Sequence, residues 1–124
     1  MKERDFLNWV IDVAKTTGWH VWHVPAPMVA SRKGGFVPSS QGAGLPDLIM
    51  MHEDPPRLVF AEVKGTGGSP TIDQLKFLRM AREVANDAHE PVYDDLGPRV
   101  MDAYLWSPGD EERIETILKS RVLA

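Results

Sequence analysis

Asp47, Glu62 and Lys64 are the residues whose types and spacing could do chemistry. They stand in Leu45-Pro46-Asp47-Leu48-Ile49-Met50-Met51 and, after a polar connection, in Leu58-Val59-Phe60-Ala61-Glu62-Val63-Lys64. Two carboxylates and an ammonium thus occupy segments that a purely structural strand would keep apolar. Leu48–Met51 and Leu58–Lys64 are short, apolar and β-rich, and His52-Glu53-Asp54-Pro55-Pro56-Arg57 reads as the connection of a hairpin. A register pairing Met51 with Leu58 also pairs Ile49 with Phe60 and Asp47 with Glu62. Directly opposed residues have Cβ atoms roughly 4.5–5.5 Å apart, where like charges repel unless a cation sits between them. A divalent metal would fill that role. Lys64, two residues beyond Glu62, shares its face. A one-residue slip would send Glu62 and Lys64 to the other face, and a surface hairpin with a weak Glu–Lys ion pair is the plainer alternative.

The elements that must position these groups follow from periodicity. Lys2 to Thr17 carries Phe6, Leu7, Val10, Ile11, Val13 and Ala14 at helical spacing and ends at Gly18. At about 100° per residue, Glu3 projects into this apolar stripe and Asp5 away from it, so Glu3 is expected to look inward. The helix macrodipole explains an acid in the first turn but not the face it occupies. Trp19 to Val24 alternates as a strand, with His20 and His23 on opposite faces, so the two cannot hold one ion together. Pro25 to Gly44 is a twenty-residue Gly-, Pro- and Ser-rich loop carrying Arg32 and Lys33. Loops of that length are either functional or unstructured insertions.

Beyond Lys64, Gly65-Thr66-Gly67-Gly68 is a turn without the Gly-Lys-Ser/Thr ending of a phosphate-binding P-loop. Ser69-Pro70 reads as cap and first turn of a helix running to about Asn86. Phe77, Leu78, Ala81, Val84 and Ala85 form its inward stripe, and Gln74 falls on that stripe one turn earlier. Lys76, Arg79 and Arg82 take the outer face. Asn86 to Arg99 is polar, acidic and Pro-containing and reads as an insertion serving as a flap or a partner-binding loop. Val100 to Trp106 is a strand, Ser107 to Asp110 a turn and cap, and Glu111 to Arg121 a helix buried through Ile114, Ile117 and Leu118. Helix, strand, hairpin, helix, strand, helix implies an α/β domain with a mixed central sheet flanked by helices.

The chain of 124 residues reads as a single domain over 1–124, and its 43% hydrophobic and 26% charged residues are those of an ordinary soluble globular protein. No apolar run approaches membrane-spanning length, and Met1-Lys2-Glu3-Arg4-Asp5 has no signal-peptide core, so no membrane association and a cytoplasmic location are expected. Without cysteine, any metal must be held by oxygen or imidazole, which favours a hard cation. A net charge of −4 runs against a broadly basic nucleic-acid surface. Carboxylates that hold cations count as negative in that sum, however, and local basic clusters matter more than the total.

Gly44-Leu45-Pro46-Asp47, fourteen further residues and then Glu62-Val63-Lys64, with Gln74 downstream, resembles the signature of the PD-(D/E)XK nuclease superfamily. The short Gly-x-Pro-Asp form is similar to its VRR-NUC branch, including small stand-alone, phage-type, Holliday-junction-resolvase-like members. The resemblance implies a restriction-endonuclease-like core. It also implies a metal-dependent DNA endonuclease in which Asp47, Glu62, Lys64 and Gln74 are catalytic. Asp47, Glu62, the Val63 carbonyl and Glu3 would then hold Mg²⁺ or Mn²⁺, and His23, Arg32, Lys33 and Lys76 would contact substrate. DNA, branched or duplex, is the implied partner, and a homodimer the implied assembly, because one active site must otherwise cut two strands in succession. Two other readings use the same residues: a catalytically silent nucleic-acid-binding or replication-accessory module of this fold, or an acidic protein-binding module using Ala88 to Arg99.

Overall fold

The computed structural model describes residues 1–25, 28–38, 44–87 and 101–121. The proposed insertion from Asn86 onward lies outside these beyond Asp87, as do residues 39–43 of the long loop.

Helix α1 (Glu3–Thr16) leads into β1 (His20–His23); a ribbon of β2 (Met28–Ala30) and β3 (Phe36–Pro38) follows. Next come β4 (Leu48–Glu53), β5 (Pro56–Val63), α2 (Ile72–Asp87), β6 (Met101–Trp106) and α3 (Glu111–Lys119). The main sheet has the order β1-β4-β5-β6, antiparallel except for the parallel pair β5-β6, so it is a mixed sheet in an α/β arrangement with three helices among the described residues. The hairpin has the expected register, with Met51 opposite Leu58 and Ile49 opposite Phe60.

The pleat divides the residues between two faces. Leu48 and Met50 of β4, Val59, Ala61 and Val63 of β5, and Tyr104 and Trp106 of β6 are buried in one core with Phe6, Val10 and Ala14 of α1 and Ile114, Ile117 and Leu118 of α3. Trp19 closes this layer by donating its indole N–H to the Leu118 carbonyl at 2.8 Å. Arg57, its guanidinium 4.8 Å from the centre of the Trp19 ring, donates to the Ser120 carbonyl just past α3. The other face carries Glu62 and Phe60, and Phe77 of α2 meets Phe60 edge to face with ring centres 5.4 Å apart.

Four expectations are corrected here. The loop Pro25 to Gly44 is not structureless, because it holds the β2-β3 ribbon, whose turn runs from Ser31 to Gly35 and is closed by Ser31 N–H donating to the Gly35 carbonyl at 2.9 Å. Helix α2 begins at Ile72 rather than at Ser69-Pro70. Its cap is Thr71, whose hydroxyl accepts the Gln74 N–H at 3.1 Å while its own N–H donates to Gln74 Oε1 at 2.8 Å. This is a capping box, in which two otherwise unpaired donors satisfy each other's residues. Arg82 lies on the outer face but is only half-exposed and is paired rather than free in solvent. It donates to Asp102 Oδ1 at 3.0 Å and to the Ala103 carbonyl, with its guanidinium 5.5 Å from the centre of the Tyr104 ring, because the buried Asp102 carboxylate requires a cation. Val84, expected inside, is exposed, as are Leu75 and Met80.

Candidate active site

Asp47 is the last residue before β4, and Glu62 lies next to last in β5, so continuing the observed register brings the two acids opposite each other at one end of the ladder. Beyond that end the chains are held rather than splayed. The Val24 N–H donates to the Asp47 carbonyl at 2.7 Å, and the Val63 N–H donates to Asp47 Oδ2 at 2.8 Å. Asp47 therefore uses one carboxylate oxygen to cap the β5 backbone.

Glu62 is 1% exposed. Its Oε1 receives Lys64 Nζ at 3.1 Å and Gln74 Nε2 at 2.9 Å, whereas its Oε2 is buried without a hydrogen-bond partner. Burial pushes the Glu62 carboxyl up to about 7 and the neighbouring Asp47 adds to the rise, against the opposing pull of Lys64. A buried acid crowded by a second acid holds its proton more readily than a free carboxyl and can share it with Asp47, and a cation placed between the two would relieve the same crowding.

Lys64 follows β5, where the parallel pairing continues through its N–H donating to the Trp106 carbonyl at 3.0 Å. Its Nζ lies between Glu62 and Glu3, 3.9 Å from Glu3 Oε1. Glu3 does not look inward as its projection predicts, because its side chain is 55% exposed. The first turn of α1 is placed by a backbone contact that periodicity does not reveal. Thr66 N–H donates to the Met1 carbonyl at 3.0 Å, and a side chain on Gly65 would stand 2.6 Å from the Glu3 nitrogen. Only glycine admits so close an approach.

The structure thus brings together Asp47, Glu62, Val63, Lys64 and Gln74, with Glu3 at the rim. It does not add the other expected residues to the cluster. His23 pairs with Leu48 and so belongs to the core-side face of the sheet, opposite that of Glu62. Arg32 and Lys33 are exposed in the β2-β3 turn, and Lys76 is exposed on α2. Among the described residues, no group of three or more His, Asp or Glu side chains is spaced to hold a metal ion. The donors that fit a hard cation are the unmatched Glu62 Oε2, Asp47 and the adjoining Val63 carbonyl. Thr71 is not among the residues expected at the site, although Thr71-Ile72-Asp73-Gln74 has the Thr-x-x-Gln spacing that signals a capping box. Comparison with family models, curated proteins and solved structures finds no match to this chain.

Proposed function

We propose that the chain is a metal-dependent DNA endonuclease of the PD-(D/E)XK type, hydrolysing phosphodiester bonds at Asp47, Glu62 and Lys64. The observation that carries this reading is the state of Glu62: buried, raised to about 7 beside a second acid, and offering an unmatched oxygen. Structural carboxylates are normally satisfied, and strained titratable groups collect at functional sites.

Asp47, Glu62 and the Val63 carbonyl would hold Mg²⁺ or Mn²⁺, with Glu3 acting from the rim. When bound, such a cation supplies charge stabilisation to a transferring phosphoryl group and favours an activated water. The chain's own residues do the rest. Asp47 keeps its carboxylate at the end of the ladder through the Val63 N–H. Lys64, 3.1 Å from Glu62, presents a compact positive charge toward a phosphate or an attacking water. Gln74 holds Glu62 Oε1 from the other side, which leaves Oε2 directed at neither donor. Structure-selective cleavage of branched DNA by a homodimer in the cytoplasm belongs to the same proposal, on the strength of the motif resemblance.

The engagement of Glu62 Oε1 by both Lys64 and Gln74 also suits a second reading, a catalytically silent nucleic-acid-binding module of this fold. Labelled single-strand, duplex, flap and four-way-junction DNA incubated with Mg²⁺ or Mn²⁺ separates the two. Paired, symmetric incisions in the junction support the endonuclease and its dimer. Binding of every substrate without turnover supports the silent module.

A further inference from the structure

Gln74 serves two elements at once. A carboxamide has two ends of nearly equal size and opposite hydrogen-bonding character, so a glutamine beside a carboxylate helps it in one orientation and repels it in the other. Here the orientation is set from outside the cluster. Thr71 N–H can only donate, and at 2.8 Å it claims Gln74 Oε1, which leaves Nε2 to reach Glu62 Oε1 at 2.9 Å. The Thr71 hydroxyl accepts the Gln74 backbone N–H at 3.1 Å and holds the same residue from its main chain. A capping box ordinarily only starts a helix. In this chain its second member also touches the candidate centre.

We propose that Thr71 is a positioning residue: its backbone N–H fixes which way round the Gln74 carboxamide sits, and thereby presents Nε2 to Glu62. The catalytic part of this inference rests on Glu62 belonging to a reacting centre, as proposed above; the orientation itself does not. Glu62 Oε1 is then held between Gln74 and Lys64, and the carboxylate is aligned with Oε2 left for the Asp47 side. Neither donor of the capping box touches the reacting atoms, so Thr71 acts through Gln74.

Three variants of the full chain test the inference. Thr71→Ser keeps both bonds of the cap, Thr71→Pro removes the N–H together with the hydroxyl, and Gln74→Glu keeps an acceptor for that N–H while replacing Nε2 with an oxygen. The first readout needs no turnover: the side-chain NH₂ resonances of Gln74, identified by their loss in Gln74→Glu. They should be dispersed in wild type and Thr71→Ser and collapse toward free-glutamine positions in Thr71→Pro. The second readout is kcat and KM on labelled duplex DNA with Mn²⁺. Thr71→Pro and Gln74→Glu should each lose about 10- to 100-fold in kcat with KM little changed, whereas Thr71→Ser matches wild type. Gln74→Glu should keep the backbone amide spectrum of wild type away from the cluster, which separates orientation from folding, although an acid placed against Glu62 lowers the thermal midpoint. Unchanged Gln74 resonances in Thr71→Pro, or wild-type kcat in Gln74→Glu, would overturn the inference. If the resonances respond as stated but wild type cleaves no DNA, the positioning stands and the nuclease reading falls.

Discussion

Asp47 accepts the backbone N–H of Val63 on Oδ2 at 2.8 Å, one residue past its register partner Glu62. That bond anchors a carboxylate beside an acid that is already buried. Replacing Asp47 by Asn and by Ala should therefore give different results. Asn can still accept the Val63 N–H but no longer crowds Glu62 with charge, so Asp47→Asn should fold normally while the Glu62 titration midpoint falls from about 7 toward its ordinary range. Asp47→Ala leaves the Val63 N–H without its acceptor and should cost about 1–3 kcal/mol. Both should lose DNA cleavage by about 100-fold or more. Denaturant unfolding and carboxyl NMR of Glu62 measure the difference.

The raised Glu62 also makes stability depend on pH. Its folded value of about 7 exceeds the ordinary value of 4.5, so between those two values the native state binds more protons than the unfolded chain. Stability from this group is full below pH 4.5 and is lost as pH rises through about 7, by on the order of 3 kcal/mol in all. Glu62→Gln should flatten that slope, as read from thermal midpoints at pH 5 and pH 8.

A cation at this site needs Glu62 ionised, so metal binding should counter the loss. Adding 10-fold dissociation-constant excess of Mn²⁺ is expected to raise stability by about 1.4 kcal/mol at pH 8 and by little at pH 5. Removal of the metal with a chelator should restore the original midpoint, and Glu62→Gln should abolish the pH 8 increment.

Much of the centre was legible in the sequence because strand pairing obeys arithmetic. Once Met51 faces Leu58, the constant index sum brings Asp47 to Glu62, and the observed register agrees. Helical projection was less informative. It reports an angle around an axis and not what stands at that angle, so it places Arg82 on the outer face without revealing that its guanidinium reaches the buried Asp102, and it places Glu3 inside although the Gly65 contact leaves it at the rim. The ribbon β2-β3 escaped notice because three-residue strands are shorter than any periodic signal. Ser69-Pro70 hid the true cap at Thr71 because both offer a hydroxyl, and only the Gln three residues later distinguishes them.

Gly65 tests how the rim of the site is placed. A methyl group there would lie 2.6 Å from the Glu3 nitrogen and 3.2 Å from the Met1 carbonyl oxygen, so the first turn of α1 must shift. Gly65→Ala is expected to cost about 1–3 kcal/mol and to separate Glu3 from Lys64, with the rest of the sheet intact. A Glu3→Gln substitution should then have a smaller effect on Mn²⁺ affinity in the Gly65→Ala background than in wild type.

Arg82 tests the support beneath β6. Asp102 is 1% exposed in its side chain and its Oδ1 also accepts the Ala103 N–H at 2.8 Å, while Arg82 is 45% exposed, so loss of the arginine removes one charged partner of a buried acid. Arg82→Ala should destabilise by about 1–3 kcal/mol, and adding Asp102→Asn should recover part of that loss. Urea unfolding of the two single variants and the double variant reads the coupling directly.

The central claim is phosphodiester hydrolysis at Asp47, Glu62 and Lys64, and the most direct measurement is cleavage of end-labelled DNA by purified wild type and Lys64→Ala in Mg²⁺ or Mn²⁺. Internal incision by wild type that disappears on chelation and falls by about 100-fold or more in Lys64→Ala is the expected result. Full metal-dependent cleavage by Lys64→Ala, or no cleavage of any DNA by wild type with either ion, would contradict it.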